Sequence, residues 1–173
     1  METAATESGD GFIRALGGMA QLLFLAALVL AARSRGELLA LAAMFLAGQM
    51  LSALAMPNTG WQPAPRFVEA AAALTVAYLA VEILLLPKAG ARWLVAGVLG
   101  AFHGLYFHLF LQTTGYRPGL VLAGAAAEIM AIAIFALVFS RLKRMARALH
   151  PVEVSASALL AFGMVWFVLR LRN

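Results

Sequence analysis

Gly100-Ala-Phe-His-Gly-Leu-Tyr-Phe-His108 places two histidines inside a run that otherwise reads as a membrane span. Imidazole is costly in hydrocarbon, so such groups turn into a bundle interior and pair with something there. The stretch therefore predicts a span, a bundle around it and a polar partner on another helix. His103 and His108 are five positions apart, about 500° of helical turn, so their directions differ by roughly 140°. One helix face cannot present both to a single ion, and the i, i+4 spacing of a zinc-type pair is absent.

The rest of the chain supports a membrane setting. Its 173 residues are 64% hydrophobic and only 12% charged, with a mean hydropathy of +0.90. Soluble domains carry about a quarter charged residues. A spanning helix needs roughly 20 apolar residues, which leaves room for about six. The expected fold is all-α, a polytopic transmembrane helical bundle forming one domain. The absence of cysteine excludes disulfides, thiolate metal sites, iron–sulfur clusters and thioether-linked haem. A net charge of +5 carried by loop arginines and lysines speaks of orientation and anionic lipid, not of nucleic acid.

Residues 1–11 read as a short polar tail, and 12–173 as the membrane domain. Working outward from the histidine stretch, helices are predicted over about 92–112, and then over 12–32, 37–56, 66–86, 120–140 and 151–169. Pro57-Asn-Thr-Gly60 and Pro87-Lys-Ala-Gly90 are turn signals, and Trp61 is an interfacial tryptophan. With six spans, the loops after the first, third and fifth share one side. They hold Arg33, Arg35, Lys88, Arg92, Arg141, Lys143, Arg144 and Arg147, against Arg14, Arg66, Arg117, Arg170 and Arg172 on the other. The excess places the first set in the cytoplasm and both termini outside a cell inner membrane.

A rise of about 1.5 Å per residue gives rough depths below the outer surface: Gln21 about 13 Å, Gln49 about 10 Å, His103 about 14 Å, Glu128 about 13 Å, His108 about 6 Å and Glu69 about 5 Å. Five helices thus bring a polar side chain into one slab, while Glu82 sits near the cytoplasmic end. His103 with Glu128 is the expected pair, since a carboxylate accepts an imidazole N–H and frees the other nitrogen for a metal or a proton. His108 reads as a near-interface histidine, Glu69 as a helix-start acid beside Arg66, and Glu82 as a partner for Lys88 or Arg92. Gln21 and Gln49 read as polar glue between helices.

The order of these features resembles the HupE/UreJ family, small polytopic membrane proteins associated with nickel supply to hydrogenase and urease and regarded as nickel or cobalt permeases. Phe102-His103-Gly104 is similar to the family's Phe-Gly-Leu-X-His-Gly turn of helix. Val68-Glu69-Ala70 with Leu74 to Glu82 is similar to its Val-Glu-Ala-X-Ile-Ala-Leu-Ser segment, and Glu128 matches the Glu of its fifth-helix motif. The resemblance spans about 11–140. It implies His103, Glu128, Glu69 and His108 as a metal or proton site, with Gln21, Gln49 and Glu82 in support, and transient Ni2+ or Co2+ as cargo with no resident cofactor.

Two motifs depart from that pattern. Arg14, Met19 and Gln21 stand where the family has a His followed by Asp-His, and Gly48-Gln49-Met50 stands for Ala-His-Ser. Nickel favours imidazole and oxygen ligands, and an amide oxygen is a weaker neutral donor. Metal transport is the first expectation. The alternative is a non-transporting scaffold or accessory subunit that binds other membrane proteins or itself, through small-residue faces such as Gly97 to Ala101 and Gly124 to Ala127. No phosphate loop, Ser-His-Asp order or HExxH motif suggests an enzyme.

Overall fold

The computed structural model describes residues 18–86, 90–145 and 150–172. Six helices follow one another: α1 (Met19–Ala31), α2 (Arg35–Ala55), α3 (Pro65–Leu85), α4 (Arg92–Thr114), α5 (Pro118–Met145) and α6 (Pro151–Arg172), with a 3-10 turn at Met56–Asn58. Among the described residues the fold is all-α, and α2 to α6 are each long and apolar enough to cross a membrane. Their outer faces carry large apolar side chains such as Leu51, Val98, Leu122, Leu137 and Val165, all exposed. A lipid solvent makes that arrangement stable. The expected tail, Arg14, Lys88 and Arg147 lie outside the described residues.

The shorter α1 is the post at the centre. A helix that is apolar on every side must be surrounded, and Phe24, Leu25, Ala27, Leu28, Val29, Leu30 and Ala31 are all buried. α3, α5, α6 and α2 pack around it. The two most extensive pairings lie between α2 and α4 and between α3 and α6. Glycine decides the first. A Cβ on Gly48 would come within 2.0 Å of the Gly97 carbonyl oxygen, one on Gly100 within 2.2 Å of that of Phe45, and one on Gly104 within 2.3 Å of that of Gln49. Only backbones stripped of side chains approach so closely. Gly97 and Gly100, expected to offer a face to partner proteins, are used inside the bundle against α2.

These contacts also set direction. Gly97 meets Met44, Gly100 meets Phe45 and Gly104 meets Gln49, so α2 and α4 are parallel. α6 runs antiparallel to α3, with Gly163 against Ala73 and Ala77, and Arg170 beside Glu69. The helices alternate, giving one end formed by the starts of α1, α3 and α5 and the finishes of α2, α4 and α6, here the mouth end. The opposite end carries Arg33, Arg35, Arg92, Arg141, Lys143 and Arg144, and is the basic end.

Several helix ends differ from expectation by two to five residues, and two of them have a readable cause. α2 starts at Arg35, ahead of the expected 37, because Ser34 Oγ accepts from the Glu37 N–H at 3.1 Å while Glu37 Oε2 accepts from the Arg33 N–H at 2.7 Å. This reciprocal capping satisfies donors the helix leaves free. α5 continues to Met145 past the expected 140, since arginine and lysine are good helix formers and favour a C-terminal turn.

Candidate functional site

Four helices bring amide, imidazole and carboxyl groups together just inside the mouth end. Gln21 on α1, Gln49 on α2, His103 on α4 and Glu128 on α5 are all buried, with Glu128 only 1% exposed. Glu128 Oε1 accepts from Gln21 Nε2 at 2.7 Å and from Gln49 Nε2 at 2.6 Å. The Gln21 amide also lies 3.4 Å from Gln49 Oε1. Gln21 Oε1 faces His103 Nδ1 at 2.5 Å, and Thr75 of α3 meets His103 Nε2 at 2.8 Å. Thr75 Oγ1 in addition donates to the Ala72 carbonyl at 2.7 Å.

His103 and Glu128 therefore do not touch, contrary to the expected pair. Gln21 stands between them, its amide nitrogen on the carboxyl and its oxygen on the imidazole. A side chain with a donor and an acceptor bridges two groups that one carboxylate bond would have joined. Glu128 keeps its second oxygen, Oε2, buried and without a hydrogen bond. An unpaired buried carboxyl oxygen is costly and calls for an explanation.

Oε2 itself is buried, while the Glu128 side chain lines a cavity. A cavity of about 430 Å3 runs from exposed Pro65, Gln112 and Thr113 down to Gln49, His103 and Glu128. A second of about 230 Å3 enters beside Met19, Trp166 and Arg170 and also ends on Gln21 and His103. Glu69 lines both. Its partner is Arg170 of α6 at 2.9 Å rather than the neighbouring Arg66, because the antiparallel α6 delivers a guanidinium that rests over Trp166, 5.3 Å from the ring centre.

His108 is elsewhere. The helical turn carries it away from His103, to Tyr116 in the loop after α4, whose hydroxyl meets Nδ1. Burial pushes the Tyr116 phenol above its usual range, so the hydroxyl stays protonated and donates. The ring lies against the Ala53 carbonyl of α2, and Nε2 makes no hydrogen bond of normal geometry.

Glu82 belongs to the basic end. It pairs with Arg92 Nε, and Arg92 Nη1 donates to the Ala31 carbonyl at 2.7 Å and reaches Glu37 Oε1 at 3.5 Å. One guanidinium thus ties the ends of α1 and α3 to the starts of α2 and α4. Ala31 offers one of the carbonyls that a helix terminus leaves unsatisfied, a natural acceptor for a cation. Arg92 had read as a loop charge, yet it is 6% exposed. Of the two partners expected for Glu82, Arg92 is the one it meets; what was not expected is the depth of that pair and its extension to Ala31 and Glu37. Thr75 was missed, although it is a hydroxyl in mid-span at the depth of His103.

Beneath the polar cluster two aromatic rings pack against His103. Phe24 and Phe45 stack with ring centres 5.0 Å apart, and lie 4.4 and 5.6 Å from the His103 ring. Among the described residues no group of three or more His, Cys, Asp or Glu side chains converges as a metal cage.

No curated protein and no solved structure matches the chain. A family model described as HupE / UreJ protein matches residues 2–170. With nearly the whole length covered, the protein belongs to the HupE/UreJ family.

Proposed function

We propose that this chain is a multi-pass permease of the cell inner membrane that passes a divalent transition-metal cation, Ni2+ or Co2+, through the cluster of Gln21, Gln49, His103 and Glu128. The observation that carries this reading is Glu128, a residue that lines a cavity reaching the mouth end and keeps one carboxyl oxygen buried and unpartnered. Family membership supplies the class of cargo. A carboxylate oxygen, amide oxygens and an imidazole are donors such a cation accepts. The set is also weak, and a conducting site must hold its ion loosely enough to release it. Glu69 lines both entrances, with its carboxylate paired to Arg170 at one of them. The excess of Lys and Arg at the basic end supports a cytoplasmic position for that end, with the mouth facing outward.

A second reading keeps the bundle and discards transport. Each amide donates to Glu128, and both His103 nitrogens already have partners, so that apart from Glu128 Oε2 the network is held within the bundle, as suits an accessory subunit of a larger membrane complex. Nickel and cobalt uptake into proteoliposomes separates the two. Saturable uptake lost in Glu128→Gln and reduced in His103→Ala supports the permease. Equal flux with and without the Glu128 carboxylate removes it, and absence of uptake in the parent protein favours the accessory role.

A further inference from the structure

The basic end holds a cavity of its own. It measures about 250 Å3 and is lined by Glu37, Ala40, Leu41, Arg92 and Trp93 among others. It belongs to neither mouth-end cavity, and α2 lines both it and the larger of those two. On α2, Glu37, Leu41, Phe45 and Gln49 recur every four residues and so share a face. Glu37 and Leu41 line the basic-end cavity, while Gln49 lines the larger mouth-end cavity. Phe45 is the one position of that face between them. From Leu41 to Phe45 is a single turn, about 6 Å along the axis.

We infer that the basic-end cavity is the exit vestibule of the transport path, that the path follows the Glu37–Gln49 face of α2, and that the stacked Phe24–Phe45 pair is the barrier in it. This rests on the permease reading and extends it to the half of the molecule that reading leaves out. Three observations converge. Phe45 is fully buried and packs on His103 from the side opposite the cavity mouth. Phe24 closes the same level from α1, the central helix. Glu37 then presents a carboxylate to the far cavity, 3.5 Å from Arg92, so a cation that passes the rings meets an oxygen donor already facing a guanidinium it can displace. A cation leaving the neutral amides of Gln21 and Gln49 thus has the next carboxylate of its route on the same helix face as Gln49.

The chain contains no cysteine, so a single introduced thiol reports water access without further change. Leu41→Cys in the full-length protein, reconstituted in liposomes of known orientation, is treated with a charged, membrane-impermeant methanethiosulfonate from either side. Reaction is expected only from the basic end. Adding Phe45→Ala, or independently Phe24→Ala, is expected to bring mouth-side labelling from background to a rate comparable with the basic side, while Phe45→Met, which keeps the bulk, leaves it one-sided. Phe162→Ala on the exposed outer face of α6 is the control for general loosening. Mouth-side labelling in the Leu41→Cys protein itself overturns the barrier, as does unchanged one-sided labelling in both alanine variants. Labelling in the Phe162→Ala control equal to that in the alanine variants overturns it as well. Nickel uptake by the same vesicles keeps the two readings apart. Uptake with unaltered labelling rejects the path alone, and altered labelling without uptake in the parent rejects the permease while leaving the barrier in place.

Discussion

Glu128 and Glu82 are both buried carboxylates in one small bundle, and the protein treats them in opposite ways. Glu82 is given an arginine, a helix-end carbonyl beside that arginine and a second carboxylate to share it. Glu128 is given two neutral amides on one oxygen and nothing on the other. A charge that is compensated inside the fold has no further use for a ligand, and removing its partner is expensive. A buried carboxyl with one oxygen unpaired keeps a place in its hydrogen bonding unfilled. The contrast separates a joint of the molecule from a candidate site without reference to any homologue.

Arg92→Met should break the comparison most forcefully. It strands Glu82 and frees the Ala31 carbonyl, and a loss of about 3–5 kcal/mol is expected from uncoupling a buried pair, read as thermal unfolding in detergent. Arg92→Met combined with Glu82→Met should recover most of that loss, because an apolar pair of similar volume avoids the desolvation cost. A double variant no more stable than the single one would place the value of Arg92 in the Ala31 and Glu37 contacts instead.

Glu128→Gln should behave in the reverse manner. Its remaining oxygen still accepts from both amides, so less than about 1 kcal/mol of stability is expected to change, while metal uptake disappears. A large destabilisation would make Glu128 a structural residue like Glu82. Thr75→Val should cost about 1 kcal/mol for the lost hydrogen bond to His103, and the ring signals of His103 in NMR spectra should shift while those of His108 stay put.

Tyr116→Phe should give the smallest effect. The Tyr116 phenol is held above its ordinary range near 10, so its protonated form is the one the fold favours. Its contribution is therefore fully present below pH 10 and is lost as pH rises through the elevated value. The difference in melting temperature between parent and variant should stay constant from pH 6 to 9 and shrink in alkaline buffer.

The comparison also marks what could be read from residues alone. Depth was legible, because a fixed rise per residue and alternating direction place Gln21, Gln49, His103 and Glu128 at one level. Pairing was not, since it depends on rotation about each helix axis, and a few tens of degrees decide whether His103 meets Glu128 or the amide of Gln21. Arg92 was legible as one of two cations within reach of Glu82 and is the one it meets, whereas its burial was not, because proximity to a turn suggested solvent. The Ser34-Arg-Gly-Glu37 capping box was plain in the letters and marks the true start of α2. The glycines of α4 announced a close neighbour, but nothing in their spacing names α2 as that neighbour.

The identity of that neighbour has a consequence for how the protein is made. α2 and α4 run parallel and are not consecutive, so the intimate contact of Gly48 with Gly97 cannot form while α2 is the newest span in the bilayer. It must wait until α3 has returned the chain across the membrane and α4 has entered beside it. The glycine seam is therefore a late lateral event between spans already inserted. A truncation ending before α4 should leave α2 in the membrane without a partner, its groove at Gly48 open to lipid or to whatever small-residue helix arrives first.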